Sequence, residues 1–208
     1  PSPASFLEGF KRAAADAEQV VGVVLSSRLS GTYASAQAAA AQESDLPIHL
    51  ADSRGVSLLQ GLLVLKATEL AERAMPADEI VKELARIRDQ SGIMFTIETF
   101  DRLLASGRVS RSKAFFGTLL NVKPILAIDR EGKVVQRGTA IGRKRVIQAL
   151  LDAVAEDMGR VPEKVRFGIV HVGVPEIVSE VRELLVARYG EVEILNAPIT
   201  PVIATHLG

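Results

Sequence analysis

Apolar residues recur at helical spacing from the start of the chain. Phe6, Leu7, Phe10 and Ala14 predict a helix over residues 4–17. An unbroken apolar run follows, Val20-Val21-Gly22-Val23-Val24-Leu25, short enough to be a buried strand. The alanine-rich stretch over residues 32–42 predicts a helix, Ile48-His49-Leu50-Ala51 a short strand, and residues 58–74 a long helix. Between strand and helix lie polar turns, first Ser26-Ser27-Arg28-Leu29-Ser30-Gly31, then Asp52-Ser53-Arg54-Gly55-Val56-Ser57. Strand, polar turn and helix, twice in succession, predict βαβ units on a parallel sheet. Ligands of such sheets bind beyond the carboxyl ends of the strands, the edge on which both turns would lie.

The pattern changes further along. Pro76 opens an amphipathic helix over residues 77–90, with Ile80, Leu84 and Ile87 on one face. After Ser91-Gly92 come a strand over residues 93–97 and short helices over 99–105 and 113–120. Residues 124–128 and 133–137 predict a hairpin around Asp129-Arg130-Glu131-Gly132. A long helix over 143–158, a strand over 166–172 and a helix over 175–189 follow. The last two strands are expected over 191–197 and 202–205. This order predicts an α+β lobe over residues 91–208, after a parallel-sheet lobe over 1–90.

Composition narrows the function classes. With 208 residues and 48% hydrophobic content the chain can bury a substantial core. Lys plus Arg and Asp plus Glu number 25 each, so no global basic field favours nucleic acid. The absence of cysteine excludes disulfides and sulfur-ligated metals and suits the cytoplasm. No apolar run approaches the ~20 residues of a membrane span, and no signal peptide is visible. The chain opens at Pro1 instead of Met, and we expect a fragment.

The serine-rich turn carries the densest chemistry. A strand-to-helix turn presents free N–H groups and the positive end of a helix dipole, a geometry that binds carboxylate, phosphate or sulfate. Ser30 is also placed to cap the following helix. Ser106-Gly107-Arg108-Val109-Ser110-Arg111-Ser112-Lys113 is basic and rich in hydroxyls, and leads into the apolar Ala114-Phe115-Phe116. A cation beside an apolar helix suits an amphiphile with an anionic head, although a solvated loop has the same composition. Gly142-Arg143-Lys144-Arg145 puts three cations at a helix start, against the dipole. His49 lies within a strand, His171 ends one, and His206 is expected at the end of another. No Gly-x-Ser-x-Gly elbow, phosphate-binding loop, dinucleotide fingerprint or paired metal-ligand spacing occurs.

The ordered set of motifs resembles the DegV family of bacterial fatty acid-binding proteins. The residues that carry the likeness are Pro1-Ser2-Pro3, Ser26-Ser27-Arg28-Leu29-Ser30-Gly31-Thr32-Tyr33, Asp52-Ser53-Arg54-Gly55-Val56-Ser57 and Ser106-Gly107-Arg108-Val109-Ser110. They continue with Leu119-Leu120-Asn121-Val122-Lys123-Pro124-Ile125-Leu126, Gly142-Arg143-Lys144-Arg145 and Thr205-His206. The resemblance implies an α/β fold of two lobes: a Rossmann-like parallel-sheet lobe, here without its opening strand, and a mixed or antiparallel α+β lobe, with the ligand between them. It implies that Ser30, Gly31, Arg108 and His206 bind a fatty-acid carboxylate. Candidate residues for an apolar tunnel around the tail are Ile93, Phe95, Ile97, Phe115, Leu119 and Leu120. The family departs from this chain at Leu207, where it usually has threonine, and at Ser106, where it usually has glycine.

By the same resemblance the chain is a carrier and not an enzyme, with no cofactor beyond its lipid. It would present the fatty acid to a separate fatty acid kinase, which forms an acyl-phosphate with ATP on the way to phospholipid. Arg143 and Arg145 are candidates for docking that kinase, and a monomer is expected. Two other readings remain open on the residues alone. One is a serine hydrolase or acyltransferase with Ser30 as nucleophile and His206 as base, for which no acidic residue near either motif orients the histidine. The other is a general binder of small anions.

Overall fold

The computed structural model describes residues 1–43, 45–109 and 121–207. The chain divides into two compact units, Pro1–Ser91 with Arg130–Gly132, and Gly92–Asp129 with Lys133–Gly208.

The first unit contains α1 (Pro3–Ala13), β1 (Val20–Val24), α2 (Thr32–Ala40), β2 (Ile48–Asp52), α3 (Leu58–Ala71) and α4 (Ala77–Arg88). β1 and β2 pair in parallel, in register from Val20↔Ile48 to Val24↔Asp52. β1 is apolar throughout because both of its faces are covered. Val20 and Val24 pack with Phe10, Ala36 and Ala39 from α1 and α2. Val21 and Val23 pack with Leu63, Leu70, Ile80 and Leu84 from α3 and α4. Ser2 starts α1, its Oγ accepting the Ser5 N–H at 3.2 Å ahead of a proline at the first turn. The helices stop a few residues short of their periodic patterns because their last turns tighten. After α3, for example, the Ala74 N–H reaches back only to the Ala71 carbonyl, and Ala74 adopts φ 58°.

The ends of β1 and β2 are tied by side-chain oxygens. Ser26 is fully buried, and its N–H donates to the Gly55 carbonyl at 2.8 Å. Its Oγ accepts the Arg28 N–H at 3.2 Å and donates to the Gly132 carbonyl at 3.0 Å. Buried Ser53 closes its own turn through Gly55. Gly132 has φ 84°, and a Cβ there would collide with Ser26 Oγ, so the close approach requires glycine. Arg54 Nη1 donates to the Arg130 carbonyl at 3.2 Å, and Arg130 Nη1 to the Asp89 carbonyl at 3.0 Å. These bonds are why the tip Arg130–Gly132 belongs with residues 1–91.

The second unit contains β3 (Ile93–Phe95), α5 (Asp101–Ala105), β4 (Val122–Ile128), β5 (Val134–Ile141), α6 (Arg143–Met158), β6 (Arg166–His171), α7 (Glu176–Tyr189), β7 (Glu193–Pro198) and α8 (Pro201–Leu207). β3, β4 and β5 form an antiparallel sheet with β4 central, and the register shifts between Ile125 and Leu126. Phe95, Leu126 and Val134 face an apolar cluster with Ile97, Phe100, Leu103, Val109 and Leu207. Met94, Ile125 and Ala140 pack against Val146, Ala149, Leu150 and Ala153 of α6. Ile147 and Leu151 of the same helix pack with Ile169, Leu185 and Ile194. β6 and β7 pair in parallel with α7 as their crossover, so this unit carries a βαβ element beside its antiparallel sheet.

Residues 202–205 are not a strand, and His206 does not end one: both lie in α8. Pro201 supplies a pre-set φ for the first turn, the Ala204 N–H donates to the Thr200 carbonyl at 3.0 Å, and Thr205 Oγ1 donates to the Pro201 carbonyl at 2.8 Å. A four-residue apolar run does not distinguish strand from helix by periodicity. The helix expected over residues 113–120 lies outside the described residues.

The buried serine generates a stability contrast. Ser26→Ala removes one donor and one acceptor from a buried turn and is expected to destabilise the protein by about 1–3 kcal/mol. Ser27→Ala, at an exposed neighbour whose backbone alone is used, should stay within about 0.5 kcal/mol. Urea denaturation of both variants checks this, and equal midpoints would contradict it.

Candidate ligand site

The serine-rich turn and the second polar turn follow directly from the last register pair of the parallel sheet, Val24↔Asp52. Asp52 holds them together. Its Oδ1 accepts the Ser27 N–H at 3.2 Å and the Arg54 N–H at 2.9 Å. Its carbonyl accepts from Arg88 Nη1 at 3.1 Å. Arg54, at φ 46°, and Ser57, at φ 56°, are non-glycine residues in left-handed backbone, so the second turn is sharply folded.

Ser30 stands apart from Ser26 and Ser53. It is half-buried, not buried, and precedes the exposed Gly31. Gly31 takes the cap position of α2, and Ser30 Oγ accepts the Thr32 N–H at 3.3 Å from one residue further out. Ser30 Oγ also shares a 2.8 Å hydrogen bond with Thr32 Oγ1. A pair of hydroxyls bonded to each other keeps donor capacity for an incoming oxygen. Ser30 Oγ is thus bonded to a hydroxyl and a backbone amide, an arrangement suited to donating a hydrogen bond.

Tyr33 completes this edge. Partial burial, and then the Asp52 carboxylate, hold its phenol above the ordinary range against the opposing Arg88 guanidinium. It therefore stays protonated, and a donor, throughout the neutral range. Tyr33 and Asp52 both belong to sequence motifs that assign neither a role. The signal available was their position, one beside the Gly-Thr helix start and one at the last residue of a strand.

Arg108 and His206 lie in the second unit. Arg108 is exposed, with its N–H donating to Ser106 Oγ at 3.4 Å and its Nη1 to the Ser106 carbonyl. His206 is half-buried in the last turn of α8. The residues that follow them, Val109 and Leu207, pack into one apolar cluster. The two polar groups are thus carried at the margin of the same apolar region. Of the expected tunnel residues, Ile97 is buried within that cluster and Phe95 packs against it. Ile93 lies one row along the same face, in the register Ile93↔Ile128↔Val134. Phe115, Leu119 and Leu120 lie outside the described residues. Arg143 and Arg145 are exposed at the start of α6, and Arg143 pairs with Glu180 of α7 at 2.9 Å. Among the described residues no cluster of His, Asp or Glu could hold a metal ion, and no helix is long and apolar enough to cross a membrane.

Similarity to known proteins follows the same lines. The DegV protein of Bacillus subtilis is 34% identical over 193 residues, covering 92% of this chain and 68% of that protein. A DegV domain-containing protein of Deinococcus radiodurans is 37% identical over 154 residues, covering 74% of this chain and 54% of its own length. A solved structure described as showing fatty acid binding of a DegV family protein from Thermus thermophilus matches with TM-score 0.90 and 32% identity. That match covers 100% of this chain and 74% of the Thermus chain. The family model described as an uncharacterised protein family, DegV, matches residues 1–208, and the chain belongs to the DegV family.

Proposed function

We propose that this chain binds a long-chain fatty acid and holds it for chemistry performed elsewhere. The observation that carries this reading is the match along the whole chain to the Thermus DegV protein, whose solved structure is described by its fatty acid binding. In our reading the carboxylate takes hydrogen bonds from Ser30 and the Gly31 turn, with Arg108 and His206 adding charge and further donors. A buried carboxylate needs several such partners, because desolvating it without them is very costly. The tail lies against the apolar face that includes Ile93, Phe95 and Ile97, with Phe115, Leu119 and Leu120 as further lining. At ~0.8 kcal/mol per buried methylene, hydrocarbon burial supplies most of the affinity and the head group fixes orientation.

This division of labour favours a carrier over a hydrolase. Ser30 Oγ is engaged with Thr32, an arrangement suited to donating a hydrogen bond. A carrier of this kind delivers its carboxylate to a fatty acid kinase that brings ATP, and the chain acts as a cytoplasmic monomer in phospholipid synthesis. The exposed Arg143 and Arg145 are the docking residues in this reading.

Extraction of the purified protein followed by mass spectrometry should recover free fatty acid in near-stoichiometric amount. Recovery of an acyl-serine adduct would instead establish the hydrolase. Ser30→Ala should weaken fatty-acid binding by about 1–3 kcal/mol, the range of a hydrogen bond to a charged group, without loss of fold. Unchanged affinity would remove Ser30 from the site. The double variant Arg143→Glu and Arg145→Glu should lower acyl-phosphate formation by an added fatty acid kinase while leaving lipid affinity intact. Loss of lipid binding in that variant would place the two arginines in the lipid site.

A further inference from the structure

The sheet face beneath the apolar cluster of the second unit carries a polar side chain that apolar packing does not explain. Phe95, Leu126 and Gln136 form one row across β3, β4 and β5. Cross-strand partners point to the same face. Phe95 and Leu126 both pack with Ile97, Phe100, Leu103 and Val109, and so does Val134, two residues before Gln136 on β5. Gln136 therefore presents its amide to this face. Its Nε2 donates to the Gly138 carbonyl at 3.4 Å. Its Oε1 is buried and has no hydrogen-bond partner among the described residues. A buried amide oxygen without a donor gives up its hydration with nothing in return.

We propose that Gln136 is a specificity-determining residue of the acyl site, recognising a hydroxyl group carried on the hydrocarbon chain of the fatty acid. The proposal rests on the fatty-acid reading above and adds a substrate class to it, the hydroxylated long-chain acids. Leucine or methionine would fill this place without penalty in a site that selects plain hydrocarbon. A hydroxyl both donates and accepts, so it completes the amide in either orientation of the terminal torsion. A site with a buried polar group discriminates against the ligand that leaves this group unpaired. A trapped water is the competing donor, and it would show no preference among ligands.

The test compares stearate with positional isomers of mid-chain hydroxystearate, binding each to lipid-stripped protein by calorimetry. The wild type should bind at least one hydroxy isomer about tenfold more tightly than stearate, a difference of ~1.4 kcal/mol. Gln136→Leu should reverse that order. Gln136→Met gives the same readout with an unbranched side chain if the leucine variant fails to fold. Equal affinity of the wild type for stearate and every hydroxy isomer overturns the proposal and leaves the fatty-acid reading standing. So does a preference that survives in the variants. Failure of the wild type to bind any of these acids overturns the fatty-acid reading and this proposal together.

Discussion

Two parallel strands that end side by side leave backbone groups that no ladder satisfies, and the first unit is organised by how they are paired. Ser26, Asp52 and Ser53 do this work. Asp52 Oδ1 takes an N–H from each of the two turns, and the Ser26 N–H reaches the Gly55 carbonyl. With their backbones held, the turns do not need Ser30 or Tyr33 for their own closure. Those side chains remain on the edge where a parallel sheet meets its ligand. The same buried hydroxyl of Ser26 binds Gly132, so the tip of the β4–β5 hairpin is fixed by the turn that precedes the candidate site.

Chemically similar residues thus have different jobs, and burial decides which. Ser26 and Ser53 are 0% and 1% exposed and saturated by backbone groups, whereas Ser30 is half-buried and bonded to a second hydroxyl. Removing a buried, saturated hydroxyl strands its partners, while removing Ser30 leaves Thr32 Oγ1 free to turn to water or ligand. The cost of the first substitution falls on stability. A nucleophilic role for Ser30 would need a base positioned against its Oγ, and Thr32 cannot act as one.

Local signals made much of the fold legible. α6 occupies the residues its pattern predicts because Gly142 and Gly159 bound it at φ 83° and 60°. The apolar runs of β1 and β4 read as strands because both are covered on two faces. The failures have two physical causes, long-range pairing and a local choice that a short apolar run leaves open. Nothing in Asp129-Arg130-Glu131-Gly132 says that its tip bonds to Ser26 and Arg54, far away in sequence. Val202-Ile203-Ala204-Thr205 is β-branched and apolar, yet Pro201 and the Thr200 carbonyl commit it to a helix. Motif order singled out Ser30 and Gly31 in the first unit and Arg108 and His206 in the second as candidates. It did not separate the buried structural serines, Ser26 and Ser53, from the half-buried Ser30, because that difference is one of burial.

The second unit carries a polar side chain on an apolar face. Its sheet divides cleanly: Met94, Ile125 and Ala140 meet α6, while Phe95, Leu126 and Val134 meet the cluster with Ile97 and Leu103. Hydrocarbon contact on such a face is strong but nearly indifferent to chain chemistry, since each methylene contributes about the same amount. Discrimination needs a group whose satisfaction depends on the ligand. Within the face itself, Gln136 Oε1 is a buried acceptor without a partner among the described residues. A face that only measured length and bulk would have no reason to bear the cost of burying it.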